Sequence, residues 1–108
     1  MKKDDGYYSQ ALMKDLSYII RHMSGLSRKE FDQNEILQDA MMFRLIQISE
    51  SARKLTEDFR ACYKQIPWGD VYGLRNRIVH DYGTIDLTIV YTTLTEDIPL
   101  LWHMLAKE

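Results

Sequence analysis

Apolar residues recur three and four positions apart along most of the chain, and no stretch keeps the strict apolar–polar alternation of a half-buried strand. The pattern predicts an all-α protein. A first helix is expected over residues 9–24, with Leu12, Leu16, Ile19, Ile20 and Met23 on one face, Ser9 as N-cap and Gly25 as the stop. A longer helical region over residues 34–65 carries Leu37, Met41, Leu45, Ile48, Ala52, Leu55 and Phe59 at the same spacing. It is expected to break once, at Leu55-Thr56-Glu57-Asp58, where a threonine followed by acidic residues has the chemistry of a fresh helix N-terminus. On its flank, Met42, Phe43 and Ile46 widen the stripe beyond what one neighbouring helix covers, which implies either a central place in a bundle or contact with a second copy.

Ile66-Pro67-Trp68 ends this region, because proline disfavours helical backbone in the residue before it and is tolerated in the first turn of a helix after it. A short third helix is expected over residues 68–80, followed by a turn at Asp81-Tyr82-Gly83-Thr84. The last helix is expected over residues 86–106, with Leu87, Val90, Tyr91, Leu94, Ile98, Leu101, Trp102 and Leu105 on its inner face and a kink at Pro99. The architecture predicted is an antiparallel bundle of four main helices with short connections. At 108 residues and 45% hydrophobic content, residues 1–108 are read as a single domain.

Composition narrows the function classes. Fourteen basic residues against 16 acidic ones leave a net charge of −2, so any nucleic-acid role has to come from a local patch. Residues 53–80 supply one: Arg53, Lys54, Arg60, Lys64, Arg75 and Arg77 against Glu57, Asp58 and Asp70, a local balance of +3. Arg53, Lys54 and Lys64 read first as a solvated helical face and are left out of the catalytic set. Cys62 is the only cysteine, which excludes an internal disulfide and a thiolate metal cluster within one chain and suits a reducing compartment. The N-terminus turns acidic where a secretory signal needs an apolar run, and no stretch approaches the roughly 18 apolar residues of a membrane span, so a cytoplasmic location without membrane contact is expected.

The chemistry concentrates in residues 75–82, R-N-R-I-V-H-D-Y. On the expected third helix, Val71, Leu74 and Ile78 face inward and turn Asn76, Arg77 and His80 outward. Asn76 and His80 lie one turn apart on one face, whereas Arg75 sits about 140° around the helix from His80. Histidine serves as acid or base near neutral pH, and arginine offers a forked donor pair for phosphate oxygens. Those are the requirements of phosphodiester cleavage in RNA, where the substrate's own 2′-hydroxyl attacks phosphorus and no metal is needed in principle. The plain structural alternative is that Arg77 and His80 complement the negative end of a helix dipole before a turn.

The octet reads R-x4-H-x-Y, the motif of the HEPN superfamily, with Asn76 directly after the arginine. The longer run I-S-E-S-A-R-K-L-T-E-D-F-R over residues 48–60, then Ile66-Pro67-Trp68, then Tyr72-Gly73-Leu74 leading into the motif, resembles the HepT-like branch of that superfamily over residues 37–101. The resemblance implies a HEPN-like helical bundle and a homodimer whose two motif copies line a cleft at the interface. It implies the toxin of a type VII toxin–antitoxin pair, a metal-independent endoribonuclease acting on RNA without a cofactor. Arg75, Asn76 and His80 would be the catalytic set, and the partner would be an MNT-type nucleotidyltransferase antitoxin that neutralises the toxin by transferring AMP onto Tyr82. Sharing across a dimer would also let an arginine and a histidine that diverge on one helix converge. One departure is Ser49-Glu50-Ser51, where relatives commonly show a Gly-Glu-Ala-like run; Glu50 aligns and its small neighbours differ, which bears on close helix packing there. The competing reading is a non-catalytic helical partner that docks onto and regulates a nucleotidyltransferase.

Two further groups of residues carry weaker signals. His22 and His103 stand at helix ends with no Asp or Cys at ligand spacing and read as surface residues rather than metal ligands. Trp68, Tyr72 and Tyr91 have the chemistry to stack on bases, but their positions favour core packing.

Overall fold

The computed structural model describes residues 3–80 and 83–106. Helix α1 (Asp5–Met23) begins earlier than expected because Asp4, not Ser9, is its N-cap: the Asp4 carboxylate accepts the Tyr7 N–H at 3.0 Å, while Ser9 donates its hydroxyl back to the Gly6 carbonyl. The predicted stripe is buried at Leu12, Leu16, Ile19 and Met23, and Ile20 is half-buried. Gly25, at φ +73°, turns the chain after the helix in a conformation that L side chains avoid. A short helix that the hydrophobic periodicity does not reveal follows, α2 (Arg28–Asp32). Its signal was a capping box, with the Ser27 hydroxyl accepting the Glu30 N–H and the Glu30 carboxylate accepting the Ser27 N–H. Phe31 anchors it in the core with no exposed surface.

Helix α3 (Glu35–Arg53) is capped by Asn34 and buries Met41, Leu45, Ile48 and Ala52. Its flanking residues do not join the core as a group: Met42 and Ile46 are half-buried and Phe43 is 57% exposed. The break at Thr56 occurs as predicted, with the Thr56 hydroxyl capping α4 (Glu57–Ala61) and the Asp5 carboxylate accepting both the Thr56 N–H and its hydroxyl. Asp5 thereby ties the start of α1 to the start of α4.

The expected single helix over residues 68–80 is instead two short helices and a strand: α5 (Trp68–Tyr72), α6 (Leu74–Ile78), and β1 (Val79–His80) paired antiparallel with β2 (Thr84–Ile85). Gly73 separates the helices at φ −90°, ψ 8°. The chain leaves helix at the β-branched pair Ile78-Val79, whose side chains favour extended backbone, and Gly83 at φ +95° supplies the left-handed residue of the hairpin turn. The Asp86 N–H donates to the Ile78 carbonyl at the base of that hairpin.

Asp86 caps α7 (Leu87–Thr92), which runs through a π-helical turn (Thr93–Asp97) into α8 (Ile98–Ala106). Pro99 has no N–H for the residue four positions back, and the disturbance expected there takes the form of this wider turn. Helix α1 packs against α3 and α8, and α3 packs against α5 and α6, giving the predicted all-α bundle with one small hairpin at its side. Val90, Leu94, Ile98, Leu101 and Leu105 complete the core from the last helix. Between α1 and α3 the core admits one ion pair, Asp15 with Arg44 at 2.8 Å, covered by Tyr18 lying 3.7 Å from the guanidinium carbon.

Candidate active site

The site is assembled where α5 hands the chain to α6 against one face of α3. Ser49, buried on α3, donates its hydroxyl to the Tyr72 carbonyl at 2.8 Å, and Arg53, one turn further along, donates Nη2 to the same carbonyl at 3.1 Å. Two donors on α3 therefore hold the end of α5. The serine at position 49 is small enough for this approach and adds a hydrogen bond that glycine would lack, so close packing survives the departure noted at Ser49-Glu50-Ser51.

Tyr72 is the strut of the junction. Its ring stacks on Trp68 with centroids 6.5 Å apart, and the guanidinium carbons of Arg53 and Arg60 lie 5.6 and 5.7 Å from its centroid. Trp68 itself donates Nε1 to the Tyr63 carbonyl, and Tyr91 donates its hydroxyl to the Leu26 carbonyl at 2.7 Å. All three aromatic rings are half-buried against the core, in keeping with packing rather than base stacking.

Held by this junction, Arg75 and Asn76 project from the exposed side of α6 with no hydrogen-bond or ion-pair partner among the described residues. They line a pocket of about 250 Å³ together with Ile46, Ser49, Glu50, Arg53 and Tyr72. Arg77 does not share it. Its Nη2 donates to the Asp97 carboxylate at 2.6 Å and to the buried Thr93 hydroxyl at 2.9 Å, and it borders a separate pocket of about 130 Å³ beside α8. The expected outward trio of Asn76, Arg77 and His80 is thus divided: Asn76 faces the Arg75 pocket and Arg77 clamps α6 to the last helix.

His80 is not one helical turn from Asn76, because the helix ends at Ile78 and the His80 backbone pairs with Thr84 in the hairpin. The His80 side chain, with Asp81 and Tyr82, lies outside the described residues. The residues that sequence periodicity passed over are Glu50, Arg53 and Tyr72 at the pocket wall. For Glu50 and Arg53 the signal was phase: with Ile46 they recur at four and three positions, on one face of α3.

His22 and His103 are exposed at helix ends. Among the described residues, no three His, Cys, Asp or Glu side chains cluster as metal ligands, and no helix is long and apolar enough to cross a membrane.

A family model of HepT-like ribonucleases matches residues 12–107. The chain belongs to the HepT-like ribonuclease family. Relatives within reach of direct comparison agree. A protein of Caldanaerobacter subterraneus named as a candidate RNase is 26% identical over 94 residues, covering 87% of this chain and 84% of the relative. One of Methanocaldococcus jannaschii, named likewise, is 28% identical over 98 residues, covering 91% and 90%. A protein of Thermococcus cleftensis named as probable ribonuclease HepT is 25% identical over 101 residues, covering 94% and 92%. No solved structure matches the chain.

Proposed function

We propose that this protein is the endoribonuclease toxin of a toxin–antitoxin pair, cutting RNA without a metal ion through Arg75, Asn76 and His80. One observation carries the reading: in a HepT-like ribonuclease, Arg75 and Asn76 stand exposed on a pocket wall with no hydrogen-bond or ion-pair partner among the described residues, while the neighbouring Arg77 is held by Asp97 and Thr93. Charged and amide side chains left without partners beside a concave surface are available to a ligand.

In the proposed reaction, His80 removes the proton of a ribose 2′-hydroxyl, the resulting oxygen attacks the adjacent phosphorus, and the 5′-oxygen of the next nucleotide leaves with a proton supplied by an acid. The products are a 2′,3′-cyclic phosphate and a 5′-hydroxyl. Arg75 stabilises the charge that builds on the phosphoryl oxygens, and Asn76 orients the phosphate or the imidazole. Two copies are proposed to share the work in a homodimer. The exposed Phe43 and the half-buried Met42 and Ile46 on α3 support a contact there, and Ile46 also lines the pocket, so such a contact would draw the sites of two chains together.

Neutralisation is proposed to follow from transfer of AMP onto the Tyr82 hydroxyl by a nucleotidyltransferase partner of the MNT type, with pyrophosphate released from ATP. The added phosphate would set bulk and negative charge two residues from His80 and repel an RNA backbone. The test is cleavage of total cellular RNA in EDTA by unmodified protein beside an Arg75→Ala/His80→Ala variant. Fragments are expected from the first sample only. Intact RNA in both would overturn the proposal in favour of a non-catalytic partner of the nucleotidyltransferase. In parallel, intact mass after co-expression with the partner should rise in steps of one adenylyl group, and not in Tyr82→Phe.

A further inference from the structure

Among the described residues, the arginines without a carboxylate partner include two that share one pocket. Arg28, Arg44 and Arg77 each bind a carboxylate, whereas Arg53 and Arg75, from different helices, line one pocket and bind none. Glu50 lies on the wall of that same pocket and pairs with neither, so the lining carries two positive charges and one negative, a net of +1. Arg53 is also held in advance. Its Nη2 is fixed on the Tyr72 carbonyl and its guanidinium lies 5.6 Å from the Tyr72 ring centroid, which restrains a long side chain and leaves most of its five N–H groups uncommitted. Such restraint lowers the ordering cost of gripping a ligand.

We infer that Arg53 is a substrate-binding residue, a second phosphate-binding cation that seats the phosphate next to the one cleaved at Arg75. The inference rests on the ribonuclease reading above. At about 250 Å³ the pocket falls short of the roughly 300–1,000 Å³ of sites that enclose a whole small molecule, and so suits a short stretch of a strand that continues outside it. Arg53 touches the neighbouring phosphate and not the reacting atoms. It therefore acts on affinity, while Arg75 acts on the chemical step.

The experiment measures binding of a labelled single-stranded 2′-deoxy oligonucleotide, which lacks the attacking hydroxyl and cannot be cut, by fluorescence anisotropy across 50 to 200 mM salt, an interval over which binding weakens about 2.6-fold for each phosphate contact on a single strand. Arg53→Gln is expected to weaken binding roughly tenfold at the low-salt end and to lower the slope of log affinity against log salt by about 0.7, the loss of one phosphate contact on a single strand. Arg53→Lys should keep the slope and recover only part of the affinity, because an ammonium keeps the charge and loses the fork. Lys14→Gln, an exposed change on α1, should alter neither. In RNA cleavage, Arg53→Gln should raise KM with kcat largely kept. An unchanged slope in Arg53→Gln beside a reduced one in Arg75→Gln overturns the role of Arg53 and leaves the ribonuclease standing. Unchanged slopes in both variants, with wild-type protein that leaves RNA intact, overturn the ribonuclease reading itself.

Discussion

Replacing Arg77 by alanine tests the division of the motif into a structural and a chemical half. Arg77 makes two contacts of different worth. Its pair with Asp97 is short, at 2.6 Å, but the two side chains are 38% and 49% exposed, so screening holds it to about 0.5 kcal/mol. Its bond to Thr93 weighs more, because Thr93 is 1% exposed and loses the guanidinium N–H that its oxygen accepts. Removing a charged donor from a buried hydroxyl costs about 1.5 kcal/mol. Arg77→Ala is therefore expected to destabilise by about 2 kcal/mol, a fall in Tm of roughly 10 °C for a domain of this size. The decisive measurement is a double-mutant cycle by urea denaturation. With Thr93→Val in the background no buried hydroxyl is left stranded, so Arg77→Ala should then cost only about 0.5–1 kcal/mol, a coupling of about 1 kcal/mol. The Asp97→Ala cycle should give a coupling of no more than about 0.5 kcal/mol. If Arg77→Ala costs the same in both backgrounds, or if the Asp97 coupling exceeds the Thr93 coupling, the clamp described here is wrong.

Other expectations follow from the same contacts. Hydrogen bonds from the Thr56 hydroxyl, and then from its backbone N–H, hold the Asp5 carboxyl below its ordinary value. A depressed carboxylate stabilises the fold above its unfolded pKa and loses that contribution as pH falls through its folded pKa. Wild type should therefore be more stable than Asp5→Asn at pH 7, with thermal melts converging as pH drops below about 4; a gap constant across that range would contradict the assignment. Leu45→Ala removes a fully buried side chain and should cost about 2–5 kcal/mol in chemical denaturation, whereas Phe43→Ala on the same helix should cost under about 1 kcal/mol in a monomer. Light scattering of Phe43→Glu should report half the mass of the wild type if α3 carries the proposed dimer contact, and a monomeric wild type would remove that contact from consideration.

Helix faces were legible because periodicity is a local property. Leu12, Leu16 and Ile19, or Leu45, Ile48 and Ala52, must share a side of any helix they form, and side chains that share an apolar side are buried. Capping chemistry is equally local, which is why Asn34, Thr56 and Asp86 mark helix starts in sequence and structure alike. The residue types of the motif also follow from the sequence alone, together with the family they resemble.

What the sequence by itself could not determine was how residues 68–80 divide and what each motif residue faces. A five-residue helix has too few internal hydrogen bonds to fix its own ends, so tertiary contacts set them. Gly73 breaks the helix beneath Ser49 and Arg53, and pairing with Thr84 draws His80 into a strand. Periodicity gives the angle at which a side chain leaves its helix and says nothing of what stands opposite. Arg75 and Arg77 are alike in residue type, and the structural role of Arg77 comes from the segment leading into the last helix, which presents Asp97 and Thr93 to it. The same reason moved Arg53 from a solvated face to the wall of the Arg75 pocket.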